Sequence, residues 1–443
     1  MDMRGRPLLL AMALAPTLCF SPVATAEPAT EVSAATPVLT AATRDAALKA
    51  IKARLSRAYI NPDRVPAILA RLDTSKARYQ TDDPARFAAL ITEDMQAVAK
   101  DTHLYVRFAP EWYRAATARP DPAAIAASNA FDAQHARNFN HGLVETRLLP
   151  GNIRYLKIVG FFWNEAETAR AYDDAMRFLK GGRAIIIDLR SNQGGDTNAL
   201  DYLRSHFFAP GTLMTTLVTP GSADVQVLAQ PNLPSGRLTG IPLYVLINHR
   251  SRSAAEAFAY TIGQFKLGEL VGQRTEGAAH FSDDTAVPPF FRFSVPLGYT
   301  QDPISKRDWE GTGVAPTIEV PAPEALETAY DLALARLLPL TPDGVEKDFL
   351  VWARDGLAAQ RTGQVPTPAE RAALAGQYGA AKIELRGSAL WLVRPDREPR
   401  QLKPLGAGGL FEAEDDDTFR VRIGHDGLYL LRPGSPLTLD YPR

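Results

Sequence analysis

The 443-residue chain contains 46% hydrophobic and 22% charged residues, which is the composition of an ordinary folded protein and excludes a disordered or collagen-like chain. Its 49 Lys and Arg against 50 Asp and Glu leave a formal charge of −1, so we expect no nucleic-acid partner. The one cysteine, Cys19, excludes intrachain disulfides, thiolate metal sites and a cysteine nucleophile from the rest of the chain.

The N-terminus is typical of a secretory signal peptide. Two arginines precede an apolar run over residues 8–20, and Ala24-Thr25-Ala26 forms a small-x-small cleavage pattern. A membrane anchor is the alternative, but the run is shorter than the ~20 residues that a span needs. We expect residues 1–26 to be a signal peptide and the mature chain to be exported, periplasmic or extracellular, without a membrane span. Residues 27–42, rich in Ala, Thr, Pro and Ser, are expected to be a linker.

Apolar residues at helical spacing predict a small helical domain over residues 43–105. Leu48, Ile51 and Leu55 recur on one helix face, and a second periodic stretch follows the start signal Asp82-Asp83-Pro84.

The pattern changes from Gly151 onward to alternating strands and helices. Residues 153–159 predict a strand, 165–180 a helix and 184–187 a fully apolar strand, which together form a β-α-β unit. A second such series runs over 243–248, 254–267 and 270–272, and a last helix is expected at about 325–338. We therefore predict an α/β core over 106–340, with sites where strands end and helices begin.

The C-terminal part of the chain has a third kind of sequence pattern. Residues 341–367, with Pro342 and Gly344, are expected to be a linker. Residues 368–443 open with a short helix and continue with alternating apolar residues and turn signals, which predicts a small antiparallel β module. Its role does not follow from the sequence.

Two strand-to-helix turns could carry chemistry. In the first, over 188–196, Gly194 and Gly195 follow the apolar strand, and free N–H groups there would suit an anion or an oxyanion. A plain turn that uses glycine to relieve strain is the alternative. In the second, Ser253 could be a nucleophile at a helix start, or merely one half of a Ser253-x-x-Glu256 capping box.

A serine nucleophile needs a base and an acid that orients it. His103 follows a helix and Glu310 lies in a short glycine-rich loop, where a carboxylate could reach inward to an imidazole. Each is weak evidence alone, because a lone histidine or loop glutamate is commonly a surface residue.

Four motifs taken in order resemble the tail-specific, C-terminal-processing serine peptidase family. They are Asp-Leu-Arg-x-Asn-x-Gly-Gly at 188–195, Ser-x-Ser-Ala-x-Glu at 251–256, Val-Gly-x-x-Thr at 271–275 and Gly-x-Gly-Val-x-Pro at 311–316. The N-terminal helices and the Asp-x-His-Leu that follows them are similar to the branch with the interphotoreceptor retinoid-binding protein repeats and the tricorn protease core. Over about 43–338, the resemblance implies a ClpP/crotonase-like α/β peptidase core acting on a peptide or protein substrate.

The resemblance also implies which residues act. Many family members use a Ser-Lys dyad, but this chain has no lysine at 276–280, where that residue would follow the third motif. Tricorn-like members instead use a histidine and a glutamate that correspond to His103 and Glu310, with Ser253 as nucleophile. The backbone N–H of Ala254 with that of Gly194 or Gly195 would form the oxyanion hole. Neither a metal nor an organic cofactor is required, and about 45 residues between the helices and the core leave no room for a PDZ module of ~90 residues.

Two alternatives stay open. The retinoid-binding relatives suggest a catalytically inactive binder of retinoid-like or other apolar ligands, because a fold does not decide function. Its candidate contacts are Phe290, Phe291, Phe293 and Trp163. A peptidase that uses Lys306 or Lys266 as its base is the other alternative. The substrate and the oligomeric state do not follow from the sequence.

Overall fold

The computed structural model describes residues 39–119, 121–361, 365–406 and 409–443. The expected signal peptide and residues 27–38 of the expected linker lie outside the described residues. Within them, no helix is both long and apolar enough to cross a membrane.

Three helices open the described chain, namely α1 (Ala41–Ala58), α2 (Val65–Thr74) and α3 (Pro84–Ala99). Helix α1 begins inside the segment expected to be a linker, because the Thr40 side chain accepts the Thr43 N–H and caps it. At α3, the Asp83 carboxylate caps the helix as its start signal predicts.

The next part of the chain, as far as α9, contains both strands and helices. Before the predicted β-α-β units come β1 (Tyr105–Phe108), α4 (Pro110–Thr117), α5 (Pro122–Asn138) and β2 (Leu143–Leu149). The units and their extensions are β3 (Ile153–Ile158), α6 (Glu165–Lys180), β4 (Ala184–Asp188), α7 (Thr197–Ser205), β5 (Leu213–Val218), β6 (Val225–Leu228), β7 (Leu243–Ile247), α8 (Ala254–Gln264) and β8 (Glu269–Gly272). After them come β9 (His280–Val287), β10 (Phe291–Gln301), β11 (Ile318–Glu319) and α9 (Ala325–Leu337).

The central sheet has the order β11-β8-β7-β4-β3-β2 and is parallel except at the β2–β3 pair. Every residue of β4 and β7 is buried, as expected for strands covered on both faces. Helices α6, α7 and α8 pack on one face, and α9 packs on the other. Because β4 and β7 are adjacent and parallel, their carboxyl ends bring the turn at 188–196 beside Ser253.

A second, antiparallel sheet connects the N-terminal helices to the core. Strand β10 pairs with β9 along one edge, and with β1 and β5 along the other. Phe291 and Phe293 of β10 are fully buried in the same apolar cluster as Phe87 and Ile91 of α3. The helices expected to form a domain over 43–105 therefore share a hydrophobic core with strands from the segment 106–340.

Residues 341–367 were expected to be a linker, but most of this segment forms helix α10 (Val345–Arg361). Its buried residues Leu350, Ala353 and Leu357 lie three and four positions apart and join the α9 face of the central sheet. Pro342 and Gly344 mark only the turn that precedes this helix.

The C-terminal β module is present as predicted. After α11 (Pro368–Leu374), one antiparallel sheet takes its strands in chain order. They are β12 (Gly376–Tyr378), β13 (Ala381–Arg386), β14 (Ala389–Val393), β15 (Arg400–Pro404), β16 (Leu410–Ala413), β17 (Asp416–Ile423), β18 (Gly427–Leu431) and β19 (Tyr441–Pro442). The module contacts α10 through Arg420, whose guanidinium lies 4.0 Å from the Trp352 ring centroid.

Candidate active site

The turn after β4 is held by its own polar side chains. Asp188 is fully buried and accepts hydrogen bonds from the Tyr155 hydroxyl at 2.8 Å and from the Arg190 guanidinium. Asn192, also fully buried, donates to the Ile158 carbonyl at 2.9 Å and accepts the Gly194 N–H at 2.8 Å. The Asp-Leu-Arg-x-Asn motif therefore fixes the position of the two glycines that follow it.

Gly194 and Gly195 can be only glycine here. Both have positive φ, 91° and 137°. A Cβ built on Gly194 would lie 2.7 Å from Ser253 Cβ and 2.9 Å from Ala254 N, which shows how closely this turn approaches the start of α8. A Cβ on Gly195 would meet the backbone of Phe161.

The two glycines differ as oxyanion donors. The Gly194 N–H already donates to Asn192 Oδ1. Gly195 forms a parallel bridge with Phe161, in which the hydrogen bonds run from Phe161 N to Gly194 O and from Asp196 N to Phe161 O. The N–H of Gly195 itself therefore points away from Phe161, and within the described chain it has no hydrogen-bond partner. Of the two predicted donors, the geometry favours Gly195.

Ser253 occupies a strained turn between β7 and α8. Its backbone has φ 53° and ψ −118°, an unusual conformation for a residue other than glycine, and its side chain is partly exposed. Ala254 is the first residue of α8, where an N–H has no acceptor within the helix. Ser251, in contrast, is fully buried and its hydroxyl donates to the Leu189 carbonyl at 2.8 Å. Ser251 is therefore a structural residue.

Glu256 is a support residue, as expected from the capping-box spacing. Its carboxylate is fully buried and accepts the Ser253 N–H at 2.9 Å. It also accepts from the Thr275 hydroxyl at 2.5 Å, from Gly277 N at 2.6 Å and from Ala278 N at 2.8 Å. These bonds join the start of α8 to the loop that follows β8, and they explain why the third motif ends in threonine.

His103 and Glu310 lie close together. His103 Nδ1 and Glu310 Oε2 are 3.7 Å apart, and both side chains are largely buried. Glu310 Oε2 also accepts the backbone N–H of Ala279 at 2.7 Å and of His280 at 2.9 Å. Among the described residues, His103 Nδ1 and Glu310 Oε1 are buried without a hydrogen-bond partner. Catalytic hydrogen bonds are often this long before substrate binds.

One short loop, residues 277–280, joins the two halves of the site. Its first two N–H groups donate to Glu256 on the helix of Ser253, and its last two donate to Glu310 beside His103. The loop of Glu310 is tied to it in turn, because Gly311 N donates to Gly277 O at 2.9 Å. The structure thus groups Ser253 with Gly194 and Ala254, groups His103 with Glu310, and connects both groups through continuous hydrogen bonds.

His280 is a site residue that the motif reasoning did not assign. Its Nδ1 lies 3.1 Å from Asp101 Oδ2 and 3.8 Å from Glu310 Oε2, and its Nε2 lies 3.6 Å from Asp308 Oδ2. Burial lowers the pKa of His280, but hydrogen bonds to Asp101 and Asp308 and the nearby Glu310 charge outweigh burial and raise that pKa to about 10. His280 is therefore an imidazolium at neutral pH.

The same cluster is where a metal ion could be held. Asp101, His280 and Glu310 each place one possible ligand atom within 4.8 Å of the other two. The described part of the chain contains no other group of this kind. Both ring nitrogens of His280, however, face carboxylates, Nδ1 towards Asp101 and Nε2 towards Asp308. Ion pairing accounts for the cluster without one.

The residues of the open alternatives lie elsewhere. Phe291 and Phe293 belong to the buried core beside α3, and the Phe290 ring packs against Phe108 and Tyr113. Trp163 packs against Tyr202 in the main core. Core packing explains these four residues, so they provide no ligand pocket.

The two alternative lysines are poorly placed. Lys266 lies beyond the C-terminal end of α8, about 20 Å along the helix axis from Ser253 at 1.5 Å per residue. Lys306 is exposed, in a turn whose Lys306 N–H donates to Asp302 O at 3.0 Å.

Three further histidines lie away from the sequence motif of Ser253 and have other surroundings. His141 and His206 are buried and hydrogen-bonded, to Thr168 and Ser235 respectively, and burial lowers the pKa of both. His425 is exposed on its β turn. Position alone did not select His103, but its contact with Glu310 does.

A cavity adjoins the site. It is bounded by Thr197, two residues past Gly195, by Ala257, one turn along α8 from Ser253, and by Trp309, next to Glu310. Trp309 and Asp302 are among its lining residues, and their buried atoms Trp309 Nε1 and Asp302 Oδ2 have no hydrogen-bond partner in the described chain.

Residues 152–320 match the model of peptidase family S41. Over these residues the α/β core is similar to that of family S41 serine peptidases. The matched segment contains the β-α-β units, Ser253, both glycines and Glu310, and the resemblance inferred from the four motifs is thereby confirmed. His103 lies outside the match, on the segment after α3.

Several solved structures are similar to this chain. A photosystem II D1 C-terminal processing protease is 17% identical with a TM-score of 0.43, over 64% of this chain and 94% of that one. Mature CPAF is 11% identical with a TM-score of 0.47, over 68% and 99% of the two chains. The tricorn protease is 12% identical with a TM-score of 0.40, over 64% of this chain and 35% of its own. The assignment rests on the family match and not on these likenesses.

Proposed function

We propose that the protein is an exported serine peptidase, an endopeptidase or carboxy-terminal peptidase of the tail-specific kind, that uses His103, Ser253 and Glu310. The contact that supports this most directly is His103 Nδ1 to Glu310 Oε2 at 3.7 Å, in a network that continues to the strained turn of Ser253. Export is inferred from the N-terminal sequence alone.

The chemistry would follow the general-base pattern. His103 takes the proton of the Ser253 hydroxyl as its oxygen attacks the peptide carbonyl, and later gives that proton to the leaving amine. Glu310 holds the imidazole in the tautomer with a proton on Nδ1 and stabilises the imidazolium. For this, Nδ1 must face Glu310 and leave Nε2 for the serine, and Nδ1 is the nitrogen 3.7 Å from the carboxylate.

The oxyanion would bind between two amides. The N–H groups of Ala254 and Gly195 have no other partner in the described chain, and Gly194 packs tightly against Ser253 to keep the two turns together. Loss of one such donor typically costs ~2.7 to 4 kcal/mol of transition-state stabilisation. The cavity beside Ala257 would receive a substrate side chain next to the cleaved bond.

A fluorophosphonate probe tests the nucleophile, because an activated serine attacks its phosphorus, releases fluoride and becomes phosphonylated. The purified protein should be labelled and should hydrolyse a peptide library, and Ser253→Ala should lose both properties. Ser222→Ala, in an exposed turn, is the matched control and should be labelled like the wild type. Labelling that persists in Ser253→Ala would disprove the assignment of the nucleophile.

The base is tested in the same assay. His103→Ala should lower kcat by at least about 10³-fold, as loss of a triad histidine does elsewhere. Activity retained in His103→Ala would instead favour a lysine base.

A further inference from the structure

The His280 cluster is the strongest feature that the triad does not use. His280 is the first residue of β9 and is surrounded by charged or polar groups from four elements. These are Asp101 after α3, Tyr59 at the end of α1, Asp308 and Glu310 in the loop after β10, and Tyr299 on β10 itself. Tyr59 donates to Asp101 Oδ2 at 3.2 Å, and the Tyr299 ring centroid lies 6.5 Å from that of His280.

The imidazolium contacts both groups that position His103. Asp101 Oδ1 accepts the backbone N–H of His103 at 3.0 Å, while Asp101 Oδ2 faces His280. Glu310 Oε2 faces His103 Nδ1 at 3.7 Å and His280 Nδ1 at 3.8 Å, and it also accepts the His280 N–H. One cation thus binds the acid that fixes the backbone of the proposed base and the acid that orients its ring.

We infer that His280 is a positioning residue, a buried cation that keeps His103 uncharged and aligned for catalysis by neutralising the carboxylates around it. Without this cation, Glu310 would face the His103 ring with no positive charge beside it, and Asp101 and Asp308, which both lie within 4 Å of His280, would lose their counter-charge as well. Carboxylates nearby favour the protonated form of an imidazole. A protonated His103 cannot accept the serine proton, so protonation would abolish its action as a base. The inference rests on the proposed function, since it concerns the same base.

Loss of the His280 cation should shift the pH dependence of kcat/KM in a definite direction. Removal of a positive charge near His103 raises the pKa of His103, and the acidic limb of kcat/KM then moves to higher pH. In His280→Gln we expect this limb to move up by at least about one pH unit, as for a charge a few ångströms away. In His280→Lys, which keeps a cation, the limb should stay close to that of the wild type.

A second variant predicts the opposite sign. Asp308→Asn removes one carboxylate but keeps the Oδ1 that accepts the Glu310 N–H at 3.0 Å. Asp308 is partly exposed and lies outside the proposed triad, so the variant should fold. The pKa of His103 should fall, and the acidic limb of kcat/KM should move to lower pH. This variant also tests the inference if His280→Gln fails to fold.

The decisive experiment is an NMR titration of the His103 ring in full-length Ser253→Ala, with and without His280→Gln or Asp308→Asn. A higher pKa of His103 in His280→Gln and a lower one in Asp308→Asn would support the inference. An unchanged pKa of His103 in the folded variants would overturn it, and activity that falls uniformly at all pH values would show a merely structural role. Because this readout does not need hydrolysis, it is separable from failure of the proposed function, which the fluorophosphonate probe reports.

Discussion

Ser253 shows what a single residue contributes and what sequence could predict about it. Ser253-x-x-Glu256 fits both a nucleophile motif and a capping box, and the structure reconciles the two readings. Glu256 makes its capping contact to the Ser253 N–H, and the same carboxylate holds the loop at 277–280. The cap thereby positions the serine, so the two interpretations are not alternatives.

We expect Glu256 to be more important for stability than any other support residue at the site. Glu256→Ala would leave four donors in a fully buried position without an acceptor, and the free energy of unfolding should fall by about 3 kcal/mol or more. Glu256→Gln keeps one acceptor oxygen and should lose less. Urea denaturation of both variants measures the difference. Equal, small losses would show that these bonds contribute little.

Among the site residues, those far from any motif are the hardest to predict from the sequence. His103 and Glu310 could be proposed as base and acid because each lies beside a recognisable motif. His280 lies 179 positions from Asp101 and 30 from Glu310, and no local spacing indicates such a cluster. Only the folding of β9 next to the end of α3 brings these charges together.

At the scale of elements, the strand-to-helix turns were predictable because apolar runs and glycines are local signals. Helix α6 and strand β4 appear where the pattern placed them. The pairing of β10 with β1, β5 and β9 was not predictable, since it joins segments far apart in the chain. Helix α10 does not follow from Pro342 and Gly344, which indicate a linker. Its apolar residues, at helical spacing, are the sequence signal that does indicate it.

The close approach of two turns leads to a prediction for Gly194→Ala. The added Cβ would lie within 3 Å of Ser253 Cβ, Ala254 N and Arg252 O, and one of these groups must move. We expect kcat/KM to fall by about 10²-fold, the typical cost of displacing a reacting group by 1 Å. Peptide hydrolysis, with circular dichroism to verify folding, measures this effect.

The control for that substitution is Gly181→Ala, at the end of α6. Gly181 has a right-handed φ of −75°, and the atom nearest to a Cβ built on it, Nη2 of Arg154, is 3.4 Å away. Full activity there and reduced activity in Gly194→Ala would agree with the packing argument. A fully active Gly194→Ala would contradict it.

At the scale of the whole molecule, α10 connects the peptidase core to the β module. One face of α10 packs beside α9, and Trp352 on α10 donates its Nε1–H to Asp417 O at 2.8 Å. Arg420 of the module is buried against Gly356 and pairs with Glu412 at 3.1 Å. The β module therefore contacts the core through α10, a helix in the segment where the sequence indicates a linker.

Gly356→Val tests this connection. Its side chain would meet the guanidinium of Arg420, whose Cζ lies 3.0 Å from the position of a built Cβ. We expect faster trypsin cleavage within residues 365–443 and unchanged peptide hydrolysis, because the module contributes none of the proposed site residues. Ala358→Val, on the exposed side of the same helix, is the control. Equal proteolysis in the two variants would argue against a tight connection.

The proposed base and the proposed nucleophile lie on different parts of the fold. His103 follows helices whose apolar side chains are covered by β10, about 190 residues later, whereas Ser253 stands on the parallel sheet. In a chain whose N-terminal helices have not yet packed against β10, the proposed nucleophile would lack its proposed base. Peptide hydrolysis would then require that this packing has formed.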